Sequence, residues 1–166
     1  MKNDVLKGVG MLAVGLLVSA VVYPFLHEFG HVLAAWCVNA KVLKATYFST
    51  PSVLCEVVGV SNAGKIAIGF SGMIFPMLVA RLIPQKWFAF WYARVLLQGI
   101  SVMAFVISIV SIVLRKNPQD DMVQVLQYWE YDRSLFLFIL CVTVMIIIFL
   151  IVRDKPVKRL YRFWGV

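Results

Sequence analysis

The sequence predicts an all-α integral membrane protein of about four transmembrane helices, with a β-hairpin between helices one and two. Three observations carry that prediction. The 166 residues are 62% hydrophobic and only 14% charged, whereas a soluble domain is usually nearer half apolar and a quarter charged. Four apolar runs reach the length of about 20 helical residues that a bilayer requires. Trp36, Trp87, Trp91, Tyr92, Tyr128, Trp129 and Tyr131 mark the ends of several runs, where rings with one wet edge favour the headgroup level.

The first run extends from Gly8 to about Trp36, behind Lys2 and Lys7. Val18-Ser19-Ala20 could pass for a signal-peptide cleavage site, but the apolar stretch continues through Val22 and Leu26, so the segment is expected to remain as a helix. The later runs cover about Asn62–Ile83, Trp87–Leu114 and Ser134–Val152. Lys41 to Val60 is rich in β-branched and aromatic residues and is broken at Ser49-Thr50-Pro51-Ser52, which predicts a hairpin. Asn117-Pro118 stops the third helix, because proline lacks a donor and restricts its predecessor. Met122, Val125, Leu126 and Trp129 then fall at the spacing of a short amphipathic helix at the membrane interface. A basic tail, 153–166, completes a single membrane domain, 1–166.

The net charge of +8 lies between and after the apolar runs, a placement that suits lipid headgroups and argues against a nucleic-acid partner. Ten Lys and Arg fall on the side of the N-terminus and six on the other, a bias for an inside N-terminus. Cys37, Cys55 and Cys141 make no disulfide framework. Arg94 and Gln98, one turn apart, are expected to pair with neighbours or snorkel, and Gly99 and Ser101 to allow close helix approach.

The chemistry lies in His27-Glu28-Phe29-Gly30-His31. Two histidines four apart on a helix share a face and can reach one metal ion. Glu28 beside them is placed to polarise a water and shuttle its proton. Ionisable groups in an apolar helix are expensive and persist mainly where they function. A catalytic zinc takes a third protein ligand. Asp4 and Cys37 are poorly placed along the same helix, and counting crossings puts Asp154 on the opposite side. Asp120, Asp121, Glu130, Asp132, Glu56 and Cys55 remain.

With HEFGH followed by a β-rich segment and a second helix, the chain resembles a small member of the site-2 protease family of intramembrane zinc metalloproteases. That family carries a later N-x-x-P-x-P-x-L-D-G segment. Asn117-Pro118-Gln119-Asp120-Asp121-Met122 matches it in part, with Asp120 in the leucine position and Met122 in the glycine position. Gly69, Ser71, Gly72 and Pro76 resemble the family's glycine-proline stretch. The resemblance implies Zn2+ held by His27, His31 and Asp121, with Asp120 the second choice, and Glu28 as the catalytic base. It implies endoproteolysis of a membrane-protein substrate, with the motif near the cytoplasmic face, against the charge bias. Two other readings are a membrane scaffold or regulator without hydrolysis, and a metal-handling transporter.

Overall fold

The computed structural model describes residues 2–48 and 50–165, with side chains from Asp4 onward. Ser49, in the expected hairpin turn, lies outside them. Four helical segments are long and apolar enough to cross a membrane: Asp4–Cys37, Asn62–Leu82, Phe88–Leu114 and Arg133–Trp164.

The first segment begins earlier than the apolar run alone suggests, and it is not uniform. α1 (Lys2–Leu17) passes through a π-helical turn, Val18–Val22, into α2 (Tyr23–Cys37). Pro24 explains the turn. It offers no N–H to the carbonyl of Ala20, and its ring would clash there in a regular α-helix. The wider turn absorbs that clash, with the Tyr23 N–H bonding to Val18 O. α2 carries the HEFGH motif and packs along α3 (Asn62–Leu82). Gly30 permits the approach: a Cβ there would lie 2.6 Å from Ser71 O and 2.8 Å from the Phe75 Cβ.

Between them, β1 (Lys41–Thr46) and β2 (Ser52–Glu56) form an antiparallel hairpin from Lys41↔Glu56 to Thr46↔Ser52. An irregularity between Val42 and Lys44 shifts the register. The hairpin is shorter than expected, because residues 57–61 turn into α3, whose N-cap Ser61 accepts from the Gly64 N–H.

α4 (Phe88–Leu114) ends with Arg115 in the left-handed conformation. α5 (Asp121–Leu126) follows, then α6 (Arg133–Arg153). The apolar face of α5 is turned into the protein. Met122 and Val125 are buried with Met73, Phe105, Phe136, Leu140 and Ile147 in the main core. The short helix expected after Pro118 is present, and it packs as a wedge against α3 and α4.

Packing decides three further points, among them the neighbour that Arg94 was expected to find. Gly99 faces open space and mediates no approach, whereas Ser101 is buried and donates to Leu97 O at 3.0 Å. Arg94 pairs with Asp154, its Nε lying 2.9 Å from Oδ2, and Arg81 and Gln85 join them. The basic tail forms α7 (Pro156–Trp164), entered through Lys155 in the left-handed conformation. Phe163 stacks on Phe88 with ring centroids 3.6 Å apart, and Lys7 Nζ donates to Phe163 O at 2.9 Å. The N-terminus, the α3–α4 connection and α7 thus share one end, opposite the hairpin and α5.

Candidate metal centre

α2 projects His27 and His31 from one face onto α3 and α5. His31 Nδ1 lies 2.7 Å from Ile68 O. A carbonyl only accepts, so Nδ1 carries the proton and Nε2 presents its lone pair inward. His27 Nε2 lies 3.3 Å from His31 Nε2 and 3.0 Å from Asp121 Oδ2, and the third edge, His31 Nε2 to Asp121 Oδ2, is 3.4 Å. Bonds of about 2.0–2.1 Å around a tetrahedral zinc put ligand atoms about 3.3–3.4 Å apart. The three atoms are therefore close enough to share one ion, and two imidazole nitrogens and a carboxylate oxygen are a donor set that could hold a metal, zinc among them. Without a cation among them, the His31 lone pair and the Asp121 carboxylate would face each other as two acceptors.

Asp121 stands there because Asp120 does something else. Asp120 caps α5, its Oδ1 accepting from the Met122 N–H at 3.0 Å and the Val123 N–H at 3.3 Å, while Ser108 Oγ donates to its Oδ2. The next residue on the helix is rotated by about 100°, which turns Asp121 towards the histidines.

The other acidic candidates have partners of their own, and Cys55 stands outside the cluster of three. Glu130 accepts from Asn62 at 2.7 Å, Asp132 caps α6 through the Ser134 N–H, and Glu56 lies 4.0 Å from Lys41. Burial pushes the Cys55 thiol up, away from the thiolate form a metal would need. The metal-competent cluster among the described residues is His27, His31 and Asp121.

Glu28 is buried and lines a cavity of about 550 Å³ together with His31 and Asp121. Ser52, Val53, Leu54 and Cys55 of β2 form its opposite wall, and Lys65, Gln124 and Tyr128 border it. The sheet has two strands, so the outer edge of β2 is unpaired among the described residues.

The glycines of α3 shape this site. A Cβ on Gly72 would lie 2.6 Å from His31 Cε1 and 2.9 Å from His27 Cε1, and one on Gly69 would overlap Val125. Residue reading alone did not identify these contacts, the Ile68 carbonyl or the cavity. The available signal was Gly69 and Gly72 one turn apart in a helix with no other need for them. His27 Nδ1 is buried with no hydrogen-bond partner among the described residues, and the Tyr23 ring lies 5.9 Å from its own.

No family model, no curated protein and no solved structure matches this chain.

Proposed function

We propose that this chain is an integral, multi-pass membrane protein, resident in a cell membrane, and a zinc-dependent endopeptidase of the site-2 protease type. Its substrate is a peptide bond in a membrane-spanning or membrane-adjacent protein. The observation that carries the reading is the convergence of His27 Nε2, His31 Nε2 and Asp121 Oδ2 within 3.4 Å of one another, beside Glu28 in a cavity walled by a strand.

His27, His31 and Asp121 would hold the ion. Bound zinc would supply Lewis-acid polarisation of the scissile carbonyl and acidify the attacking water. Glu28 takes the proton of that water and returns it to the leaving amine, the work of one carboxylate used first as base and then as acid. The Ile68 carbonyl fixes the tautomer and direction of His31. Asp120 fixes the rotation of α5 and with it Asp121.

A peptide bond within a helix is shielded by its own hydrogen bonds, so the substrate must unwind. The free edge of β2 offers backbone groups to an extended segment, which would lie along the cavity that Glu28 lines. The cavity admits water where the surrounding helices exclude it.

The test uses purified protein in liposomes with a panel of single-span substrates. Wild type should carry about one zinc per chain and cleave within or next to the span. Glu28→Gln should keep the zinc and lose cleavage. Zinc-free wild type after chelator-free purification, or normal cleavage by Glu28→Gln, would overturn the reading.

A further inference from the structure

The net charge of the chain is carried entirely by the end opposite the metal centre. The segments 2–7, 81–94 and 153–162 hold ten of the 16 Lys and Arg but two of the eight Asp and Glu, whereas the remaining six cations are matched by six carboxylates. One of those two carboxylates, Asp154, is buried against Arg94 and Arg81. The excess positive charge is concentrated on α7 and its entry.

α7 has three distinct sides. One is docked on the protein: Phe163 stacks on Phe88, Arg159 donates to Gln85 O at 3.2 Å, and the Arg159 guanidinium lies over the Trp91 ring. A second side, Val157, Leu160, Tyr161 and Trp164, is apolar and exposed, with Val157 at 65% and Tyr161 at 56%. The third holds Lys158 and Arg162, both exposed and with no carboxylate within 4.0 Å among the described residues. Docking through Arg159 and Phe163 fixes the helix about its own axis, so the apolar and cationic sides are set in relation to the bundle.

We infer that α7 binds the anionic headgroups of one bilayer leaflet. Val157, Leu160, Tyr161 and Trp164 enter the acyl boundary, and Lys158 and Arg162 engage lipid phosphates. The inference goes beyond proteolysis and rests only on the membrane-spanning reading. A basic helix with an exposed apolar side, joined directly to a membrane-spanning helix, has the composition that seats in the headgroup layer. Its unpaired cations select negative lipid over zwitterionic lipid. A soluble acidic protein would need no such row of exposed apolar side chains beside the cations.

Native mass spectrometry of the detergent-solubilised full chain, titrated with phosphatidylglycerol and separately with phosphatidylcholine, reads this preference. Two cations without carboxylate partners should favour phosphatidylglycerol over phosphatidylcholine several-fold. Lys158→Gln with Arg162→Gln should remove most of that preference. Lys41→Gln with Lys44→Gln, at the other end, should leave it intact. Equal preference in wild type and the Lys158/Arg162 variant, or no preference in either, would overturn the proposal. So would binding of an acidic soluble protein that phosphatidylglycerol fails to compete away. Flotation of wild type with phosphatidylcholine liposomes tests the membrane-spanning reading separately, since insertion of the apolar helices does not depend on lipid charge.

Discussion

Gly72→Ala isolates the geometry of the metal centre without touching a ligand. The added methyl would lie 2.6 Å from His31 Cε1 and 2.9 Å from His27 Cε1, and closer still to His31 Nε2. Carbon atoms make comfortable contact at about 3.5–4.0 Å, so both imidazoles must move by the better part of an ångström or α2 must lift from α3. The second course is resisted at Gly30, which already has Ser71 O and Phe75 against it. Overpacking of this kind costs about 1–3 kcal/mol. If the rings give way, that cost appears in zinc affinity, weakening it by about 5- to 150-fold. The assay is competition with a chromogenic chelator on purified protein, with circular dichroism to confirm helix content. Gly99→Ala is the matched control, since nothing lies within 4 Å of a Cβ there. Wild-type zinc affinity in Gly72→Ala would refute the argued placement of α3 against the histidines.

Other outcomes follow from the same contacts. Asp121→Ala should lose zinc retention, whereas Glu130→Ala and Glu56→Ala should keep it, as measured by elemental analysis. Asp120→Ala removes the cap of α5 and should cost about 0.5–2 kcal/mol of stability and weaken zinc. Asp120→Asn, which can still cap, should recover both in thermal melts and chelator competition. Truncating the buried Arg94–Asp154 pair from one side, as in Asp154→Ala, leaves a charge without its partner. It should cost about 3–5 kcal/mol in unfolding experiments while sparing zinc affinity, because the pair lies at the other end of the bundle.

Much of this architecture can be read in the sequence because long apolar helices announce themselves by length and composition. HEFGH likewise stands out as two histidines one helical turn apart with a glutamate beside them. The third carboxylate was harder. Asp120 and Asp121 are adjacent and chemically identical, and only the start of α5, which makes one a cap, separates their directions. Spacing from Pro118 pointed the same way through family resemblance, not through geometry. α7 was hidden for a different reason. Its cations were read as charge facing lipid headgroups, and its helix emerges only when Val157, Leu160, Tyr161 and Trp164 are placed on a helical repeat. The cavity and the Arg94–Asp154 pair join segments far apart in the chain. Local spacing carries no information about such pairings.

Zinc K-edge X-ray absorption on the purified, chelator-free protein reads the proposed three-ligand site itself. The expected result is about one zinc per chain with nitrogen and oxygen neighbours at about 2.0–2.1 Å, an imidazole scattering pattern, no sulfur shell, and loss of the signal in Asp121→Ala. A sulfur neighbour at about 2.3 Å, which would implicate Cys55 or Cys37, or a protein without zinc, would contradict it.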